Sequence, residues 1–221
     1  MSGEVDYTVS LALVDFLPVV LTGIGTVYLA RAAGRRLPSV FVWGLTGAVL
    51  IVTGGACKAV WKLIIASTTN DVTWLDDLLF VFLMPGFALL AWALMGGLRQ
   101  AHVRRWPYVI GVIALAVVAA FLRKPFPLTL GTAVFLVIAT VAAAVLAHRL
   151  GDDIAVGAFI LQLVLVPLLV FLGSPRITQS IGQQWLEEMT NTVAQGALAF
   201  GAIRLFGKCA HAAQDSQLQE V

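Results

Sequence analysis

Charged residues are scarce in this sequence. Only 12% of its 221 residues are Asp, Glu, Lys or Arg, whereas 60% are hydrophobic, and the mean hydropathy is +0.93. Soluble domains carry about 25% charged residues, so this composition excludes a soluble protein and indicates an integral membrane protein. The net charge of +2 is too small for a nucleic-acid-binding surface. We expect no nucleic-acid partner.

Cysteine and histidine are also rare, which limits metal and redox chemistry. Cys57 lies inside an apolar run and Cys209 follows the last run, so we expect no disulfide between them. The three histidines lie at or beyond the ends of the apolar runs, at His102, His148 and His211. We therefore predict neither a metal nor a haem site. Glu4 and Asp6 replace the basic start of a signal peptide, so none is predicted.

Seven apolar runs follow one another along the chain, each near the roughly 20 residues that span a bilayer. They predict an all-α, polytopic membrane protein, a seven-transmembrane-helix bundle with helices at 9–30, 39–66, 75–97, 107–122, 128–148, 153–173 and 182–206. The fourth run is the shortest, and prolines stand at both of its ends. A single domain over 1–208, followed by a short tail at 209–221, accounts for the chain.

The basic residues predict the orientation of the bundle. Most of them fall at one side of the predicted bundle: Arg31, Arg35, Arg36, Arg99, Arg104, Arg105, Arg149, Arg204 and Lys208. Positive residues favour the cytoplasmic side, so the N-terminus is predicted outside and the C-terminus cytoplasmic, in the plasma (inner) membrane of a prokaryote. Arg123, Lys124 and Arg176 are exceptions on the outer side. Glycine-rich and alanine-rich helix faces fit packing within one chain or in a homo-oligomer.

Charged and aromatic side chains collect in the predicted outer half of the bundle. They come from the second helix, the start of the third and the start of the seventh: Lys58, Trp61, Lys62, Asp76, Asp77, Glu187 and Glu188. A lysine at this depth needs a partner or must reach the interface, and Asp15 of the first helix is a further candidate counter-ion. One interpretation is a set of ion pairs that fixes helix register. The other is an outward-facing pocket that binds a ligand.

A polar stripe in the last helix extends this cluster toward the middle of the membrane. Glu188, Asn191 and Gln195 share one helix face because residues three, four and seven apart lie on the same side. Lipid cannot satisfy the hydrogen bonds of such groups, so the stripe is predicted to face the bundle interior. Asn191 and Gln195 are therefore included among the candidate ligand-binding residues.

Several short patches resemble the microbial, retinal-binding rhodopsins. Gly23-Ile-Gly25-Thr26-Val-Tyr28 is similar to a glycine-rich passage of their first helix, and Trp74 precedes Pro85 at a similar separation. Pro167 followed by Gly173-Ser174 resembles the end of their sixth helix. Asn191-x-x-x-Gln195, followed by Arg204, has the spacing of their helix-seven aspartate, retinal-linking lysine and inner arginine. The resemblance implies the same seven-helix plan over nearly the whole chain.

The resemblance also implies that the family's photochemistry is missing. The position that resembles the retinal lysine is Gln195, which cannot form a Schiff base, and its counter-ion position is Asn191. The proton acceptor and donor positions fall near Leu79 and Leu90, and the helix-three arginine position falls near Asp76. We expect no covalent retinal, no other cofactor and no proton pumping, while a non-covalent apolar ligand remains compatible.

Two functional hypotheses follow. The first is an opsin-like membrane protein that binds a lipid or an apolar small molecule, or acts as a sensor or accessory protein in the lipid bilayer. The alternative is a membrane enzyme or transporter that handles a lipid headgroup or small ion through the charged residues of the outer half. The sequence favours the first hypothesis, in which the chain is not an enzyme.

Overall fold

The computed structural model describes residues 9–68, 71–172 and 180–218, with side chains described as far as residue 212. Within these ranges the chain is helical and contains no strand, which confirms the predicted all-α class. The helices are α1 (Val9–Val14), α2 (Phe16–Arg36), a short 3₁₀-helix (Pro38–Val40), α3 (Phe41–Ser67), α4 (Thr73–Arg99), α5 (Trp106–Leu122), α6 (Phe126–Arg149), α7 (Asp153–Leu172) and α8 (Ile181–Leu218).

Five helical stretches of the described chain are long and apolar enough to cross a membrane. They are Val9–Arg36, Pro38–Ser67, Thr73–Arg99, Phe126–Arg149 and Asp153–Leu172. Helix α5 has 17 residues, and α8 is longer but interrupts its apolar run with polar side chains. The chain is therefore a helical membrane protein with several candidate spans.

The helix ends differ from the predicted bounds in two informative places. The first predicted helix is split into α1 and α2 at Asp15 and runs on to Arg36. The last helix continues to Leu218, through most of the predicted tail, because Ala, Gln and Lys favour helix after the apolar run has ended. The predicted end of the sixth helix, the Gly173-Ser174 patch and Arg176 lie outside the described residues.

Six of the helical rods close into a ring around the interior of the molecule. Helix α2 packs against α3 and α8, α3 against α4, α4 against α6, and α7 against both α6 and α8. Helix α5 lies outside this ring and packs against α4 and α6. Close approach of α3 and α4 depends on glycine, because a Cβ at Gly47 would lie 2.6 Å from the carbonyl oxygen of Gly86.

Helical rods that follow one another along the chain run in opposite directions, so their ends alternate between the two ends of the bundle. One end, here called the Lys62 end, contains Asp15, the end of α3 and the start of α8. The opposite end, here called the Arg204 end, contains the α6–α7 connection and the α4–α5 connection. Arg149 donates a hydrogen bond to the Leu98 carbonyl there, at 3.3 Å, which joins α6 to α4.

Candidate functional site

A buried ion cluster joins three helical segments at the Lys62 end. Lys62 Nζ lies 2.8 Å from Asp15 Oδ2 and 2.7 Å from Glu188 Oε1. The exposed fractions of Asp15, Lys62 and Glu188 are 8%, 8% and 4%. Because all three side chains are buried, the two contacts are charge-assisted hydrogen bonds in a medium of lower dielectric constant than water. Asp15, Lys62 and Glu188 are called the Lys62 cluster below.

Pro18 explains why Asp15 stands at a helix break. A proline lacks the N–H that would bond to the carbonyl four residues earlier, and its ring clashes with that carbonyl. The carbonyl concerned belongs to Val14, the last residue of α1. Asp15 closes α1 by donating its N–H to the Leu11 carbonyl at 3.1 Å. The break therefore places a carboxylate at the junction of α1 and α2, where it meets Lys62.

The last turns of α3 and the first turns of α8 supply the remaining groups. Lys58 precedes Lys62 by one helical turn and lines the same cavity, as residues four apart share a face. Glu188, Asn191 and Gln195 of α8 also face that cavity. The predicted stripe in the last helix therefore faces the bundle interior.

The Lys62 cluster forms part of the wall of a cavity of about 230 Å³. Its walls come from α2, α3, α4, α6 and α8, so the cavity lies inside the helix ring. The polar residues that line it are Asp15, Thr22, Lys58, Lys62, Thr132, Glu187, Glu188, Asn191 and Gln195. Ile51, Leu83 and Phe87 are among the apolar residues of the opposite walls. The cavity is thus polar along α8 and apolar along α4.

The two amides in this cavity bond to each other. Gln195 Nε2 donates to Asn191 Oδ1 at 3.3 Å. A neutral amide pair on one helix face satisfies part of its own hydrogen-bonding capacity. This arrangement leaves the Gln195 carbonyl oxygen and the Asn191 amino group as the remaining polar atoms of the pair.

One oxygen of the Lys62 cluster is unsatisfied. Glu188 Oε2 is fully buried and accepts no hydrogen bond from the part of the chain that the structure describes. A buried carboxylate oxygen without a donor is costly. In addition, three carboxylates and two ammonium groups line the cavity, which leaves one negative charge uncompensated when all five are ionised.

Three of the predicted ligand-binding residues lie elsewhere. Trp61 donates its indole N–H to Asp71 Oδ1 at 3.0 Å, outside the set that lines this cavity. Asp76 is half-buried and Asp77 is exposed; Asp77 faces a separate depression that Arg123 and Lys124 also line. The structure brings the other six together: Lys58, Lys62, Glu187, Glu188, Asn191 and Gln195.

Asp15 enters the site as a full member, although the sequence marked it only as a further counter-ion. Thr22 and Thr132 also line the cavity and were not predicted. Each threonine hydroxyl donates to the carbonyl four residues earlier in its own helix, at 2.7 Å for Thr22 and 2.9 Å for Thr132. Pro18 is the feature of the sequence that could have indicated the helix break at Asp15. No feature of the sequence indicated that the two threonines line the cavity.

A second ion pair closes the Arg204 end. Asp152 Oδ1 accepts hydrogen bonds from Arg204 Nε and Nη2, at 3.1 and 3.0 Å, and from the Ala155 N–H at 3.1 Å. Burial of the carboxyl opposes its ionisation, but the Ala155 N–H and Arg204 outweigh burial and lower the pKa of Asp152. This pair joins the start of α7 to α8.

Among the residues that the structure describes, no group of three or more His, Cys, Asp or Glu side chains is placed to hold a metal ion. The groups that line the cavity are carboxylates, ammonium groups, hydroxyls and amides, which form ion pairs and hydrogen bonds.

The chain matches no protein-family model, and neither a curated protein nor a solved structure matches it.

Proposed function

We propose that this chain is a seven-helix integral membrane protein that binds a small cationic ligand in the cavity beside the Lys62 cluster. In this proposal α1 and α2 together form the first span, α5 and α8 complete the seven, and the N-terminus lies outside. The protein acts as a ligand-binding, sensory or accessory protein rather than an enzyme. The observation that carries the proposal is the buried Glu188 Oε2, which lacks a donor in the described chain.

The charge of the cavity sets the class of ligand. One uncompensated negative charge inside a membrane-embedded cavity is expensive, and a bound cation or a proton removes that cost. Glu188 Oε2, Glu187 and the Gln195 carbonyl supply acceptors on the α8 side. An anionic ligand would add to the uncompensated charge, so an anion is disfavoured.

The size of the cavity limits the class of ligand further. At about 230 Å³ it has room for about seven water-sized groups and is smaller than the roughly 300–1,000 Å³ of pockets for drug-sized ligands. A small organic ammonium ion or a monovalent cation with a few waters fits this space. The proposal does not extend to a divalent metal, because no group of three or more His, Cys, Asp or Glu side chains of the described residues is placed to hold one.

The opsin resemblance supports the plan of the bundle but not a pigment. The positions that resemble the retinal lysine and its counter-ion, Gln195 and Asn191, bond to each other as neutral amides. Lys62, which could form a Schiff base in principle, is engaged by two carboxylates, and the ammonium form is not nucleophilic. We therefore propose a protein without covalent retinal and without proton pumping.

The alternative function, an enzyme or transporter acting on a lipid headgroup, has less support. It requires the outer charged residues to act as one group, whereas Asp76 and Asp77 do not line the cavity with the other members. The cavity is also small for a phospholipid headgroup. Transport of the same small cation would use the same binding site and is compatible with the proposal.

Thermal unfolding of the purified protein tests the cation site. We expect methylammonium chloride to raise the melting temperature saturably, at ionic strength held constant with bulky N-methylglucamine chloride. A ligand at a hundred times its Kd stabilises by about 2.7 kcal/mol. Glu188→Gln should raise the methylammonium concentration that gives half of the maximal shift at least tenfold, because it removes the charge that binds the cation.

Asp77→Asn is the matched control, since it neutralises a carboxylate of the same end that lies outside the cavity. Its response to methylammonium should equal that of the wild type. The cation proposal would be contradicted if the melting temperature changed with pH but did not change with methylammonium, Na⁺ or K⁺. That result would assign a proton to the site. An absorption band that appears with added retinal and disappears with hydroxylamine would overturn the statement on the pigment.

A further inference from the structure

Helix α5 stands partly apart from the ring and leaves a groove along α4. Ala119 is its one buried residue. On the α6 side, Tyr108 stacks on Phe135 with ring centroids 6.1 Å apart, and this contact holds the start of α5. Pro85 interrupts the hydrogen bonding of α4 at the middle of the same region. The space between α4 and α5 therefore opens sideways toward the surrounding bilayer in the proposed orientation.

The groove has a volume of about 420 Å³ and an almost entirely apolar wall. Trp43, Trp92 and Trp106 are among the aromatic residues that line it, and Pro85 and Val112 are among its apolar residues. Trp43 and Trp92 meet edge to face, with centroids 6.2 Å apart. Trp92 also donates its indole N–H to the Val103 carbonyl at 2.9 Å, which fixes the α4–α5 connection at the mouth of the groove.

The mouth of the groove is basic. Arg105 is the charged residue that lines the groove, and its guanidinium lies 5.8 Å from the Trp106 ring centroid. An adjoining cavity on the α6 side is lined by Arg99, His102 and Arg104. Neither lining includes an acidic residue, and Arg104 and Arg105 take part in no ion pair within the described residues. Both arginines are exposed.

We propose that this groove binds one anionic glycerophospholipid, with an acyl chain along α4 and α5 and the phosphate at Arg104 and Arg105. An apolar groove open to the bilayer is filled by an acyl chain, and unpaired guanidinium groups at headgroup level select a negative headgroup. Basic pockets between membrane helices bind anionic lipids for this reason. A bidentate guanidinium–phosphate contact adds geometric selectivity to the charge.

Two other occupants fit the groove less well. A zwitterionic lipid would supply the same acyl chain, but its own cationic group would reduce the attraction of the arginines. A second copy of this chain would have to cover Arg104 and Arg105, and desolvating unpaired charges in an interface is costly. The proposal is independent of the cation site, because the groove and the Lys62 cavity share no lining residue.

Native mass spectrometry of the detergent-purified protein tests this site with two probes of equal chain length, phosphatidylglycerol and phosphatidylcholine. We expect one phosphatidylglycerol to be retained per chain at concentrations at which phosphatidylcholine is not. Each basic residue near a membrane surface contributes about fivefold in affinity for anionic lipid. Arg104→Gln combined with Arg105→Gln should therefore weaken phosphatidylglycerol binding at least tenfold.

Two further variants separate a built site from general surface charge. Arg31→Gln removes a positive charge from the same end but outside the groove, and it should change binding less than twofold. Val109→Trp fills the groove from α5 without changing charge, and it should displace the lipid while the melting temperature stays within a few degrees. Three results would overturn the proposal. The two lipids could bind equally, Arg31→Gln could lose as much phosphatidylglycerol binding as the Arg104/Arg105 double variant, or the protein could form a dimer in place of a lipid adduct.

Discussion

Lys62 is the residue on which the ion cluster depends. Replacing it by methionine leaves Asp15 and Glu188 buried without their cation, and removing one partner of a buried ion pair costs about 3–5 kcal/mol. We expect a loss of that size for Lys62→Met in the free energy of unfolding, measured by sodium dodecyl sulfate denaturation in mixed micelles. Adding Asp15→Asn and Glu188→Gln should restore most of it, because no unpaired charge then remains.

Lys58→Met is the control for this series. Lys58 is half-buried and takes part in no ion pair among the described residues, so we expect a change below about 1 kcal/mol. The cluster would not be a coupled unit if the two lysine variants lost the same free energy of unfolding. The same would follow if the triple variant were no more stable than Lys62→Met.

The sequence identified the members of this cluster better than their pairing. Depth along the helix made Lys58 the lysine most in need of a partner, yet Lys62 is the one that two carboxylates engage. Spacing within α3 shows that both lysines share a face about 6 Å apart along the helix axis, so the axial offset of α3 against α2 and α8 decides which lysine meets a carboxylate. That offset depends on packing contacts far apart in the sequence, which periodicity does not contain.

At the scale of elements, Asp152 joins the start of α7 to α8 and gives a pH-dependent contact. Its folded-state pKa lies below the ordinary value of 3.8, so its stabilisation is fully present above that value and is lost as the pH falls through the folded pKa. Asp152→Asn should lower the free energy of unfolding by about 2 kcal/mol at neutral pH. The difference from wild type should vanish in strong acid.

Chemical denaturation between pH 7 and pH 2 measures this difference. Asp153→Asn is the matched control, because the Asp153 side chain is 89% exposed and lies 3.6 Å from an exposed His148. That variant should differ from wild type by less than about 0.5 kcal/mol. A wild-type advantage over Asp152→Asn that grows as the pH falls would contradict the assignment.

The elements themselves were largely predictable, since apolar runs of membrane length mark helices whatever their tertiary partners. The interruption at Asp15 was missed, although Pro18 was visible, because hydropathy continues smoothly across it. Gln162 of α7 was missed for a different reason. It accepts a hydrogen bond from Thr140 of α6 at 3.0 Å, and a single polar residue in an apolar run does not reveal which neighbour satisfies it.

For the whole molecule, the site could not be located from any one helix. The cavity draws on five helices, and only the closure of the ring brings Asp15 of the first helical rod beside Glu188 of the last. The sequence did place both residues toward the same side of the membrane, because alternate connections lie on the same side of an antiparallel bundle. What it lacked was the order of helices around the ring, which small residues such as Gly47 and Gly86 help to set through close contact.

Helices α5 and α8 lie outside the five candidate spans and decide the number of spans, and α5 is the one to test. A span of 17 residues rises about 26 Å, slightly less than the roughly 30 Å hydrocarbon core. In the proposed orientation Arg123 and Lys124 follow it on the outer side, where positive residues are disfavoured. We nevertheless expect α5 to cross, because the exposed Ile110, Ile113 and Phe121 would otherwise face water.

Cysteine labelling of intact cells measures this directly. In a background with Cys57→Ala and Cys209→Ala, we expect a membrane-impermeant maleimide to label Lys124→Cys in whole cells and to label His102→Cys only after permeabilisation. These two exposed positions flank α5, so each serves as the control for the other. Labelling of both under the same condition would show that α5 does not cross. Labelling of His102→Cys alone in whole cells would invert the orientation. The Lys62 end would then face the cytoplasm, and the basic groove would lie in the outer leaflet.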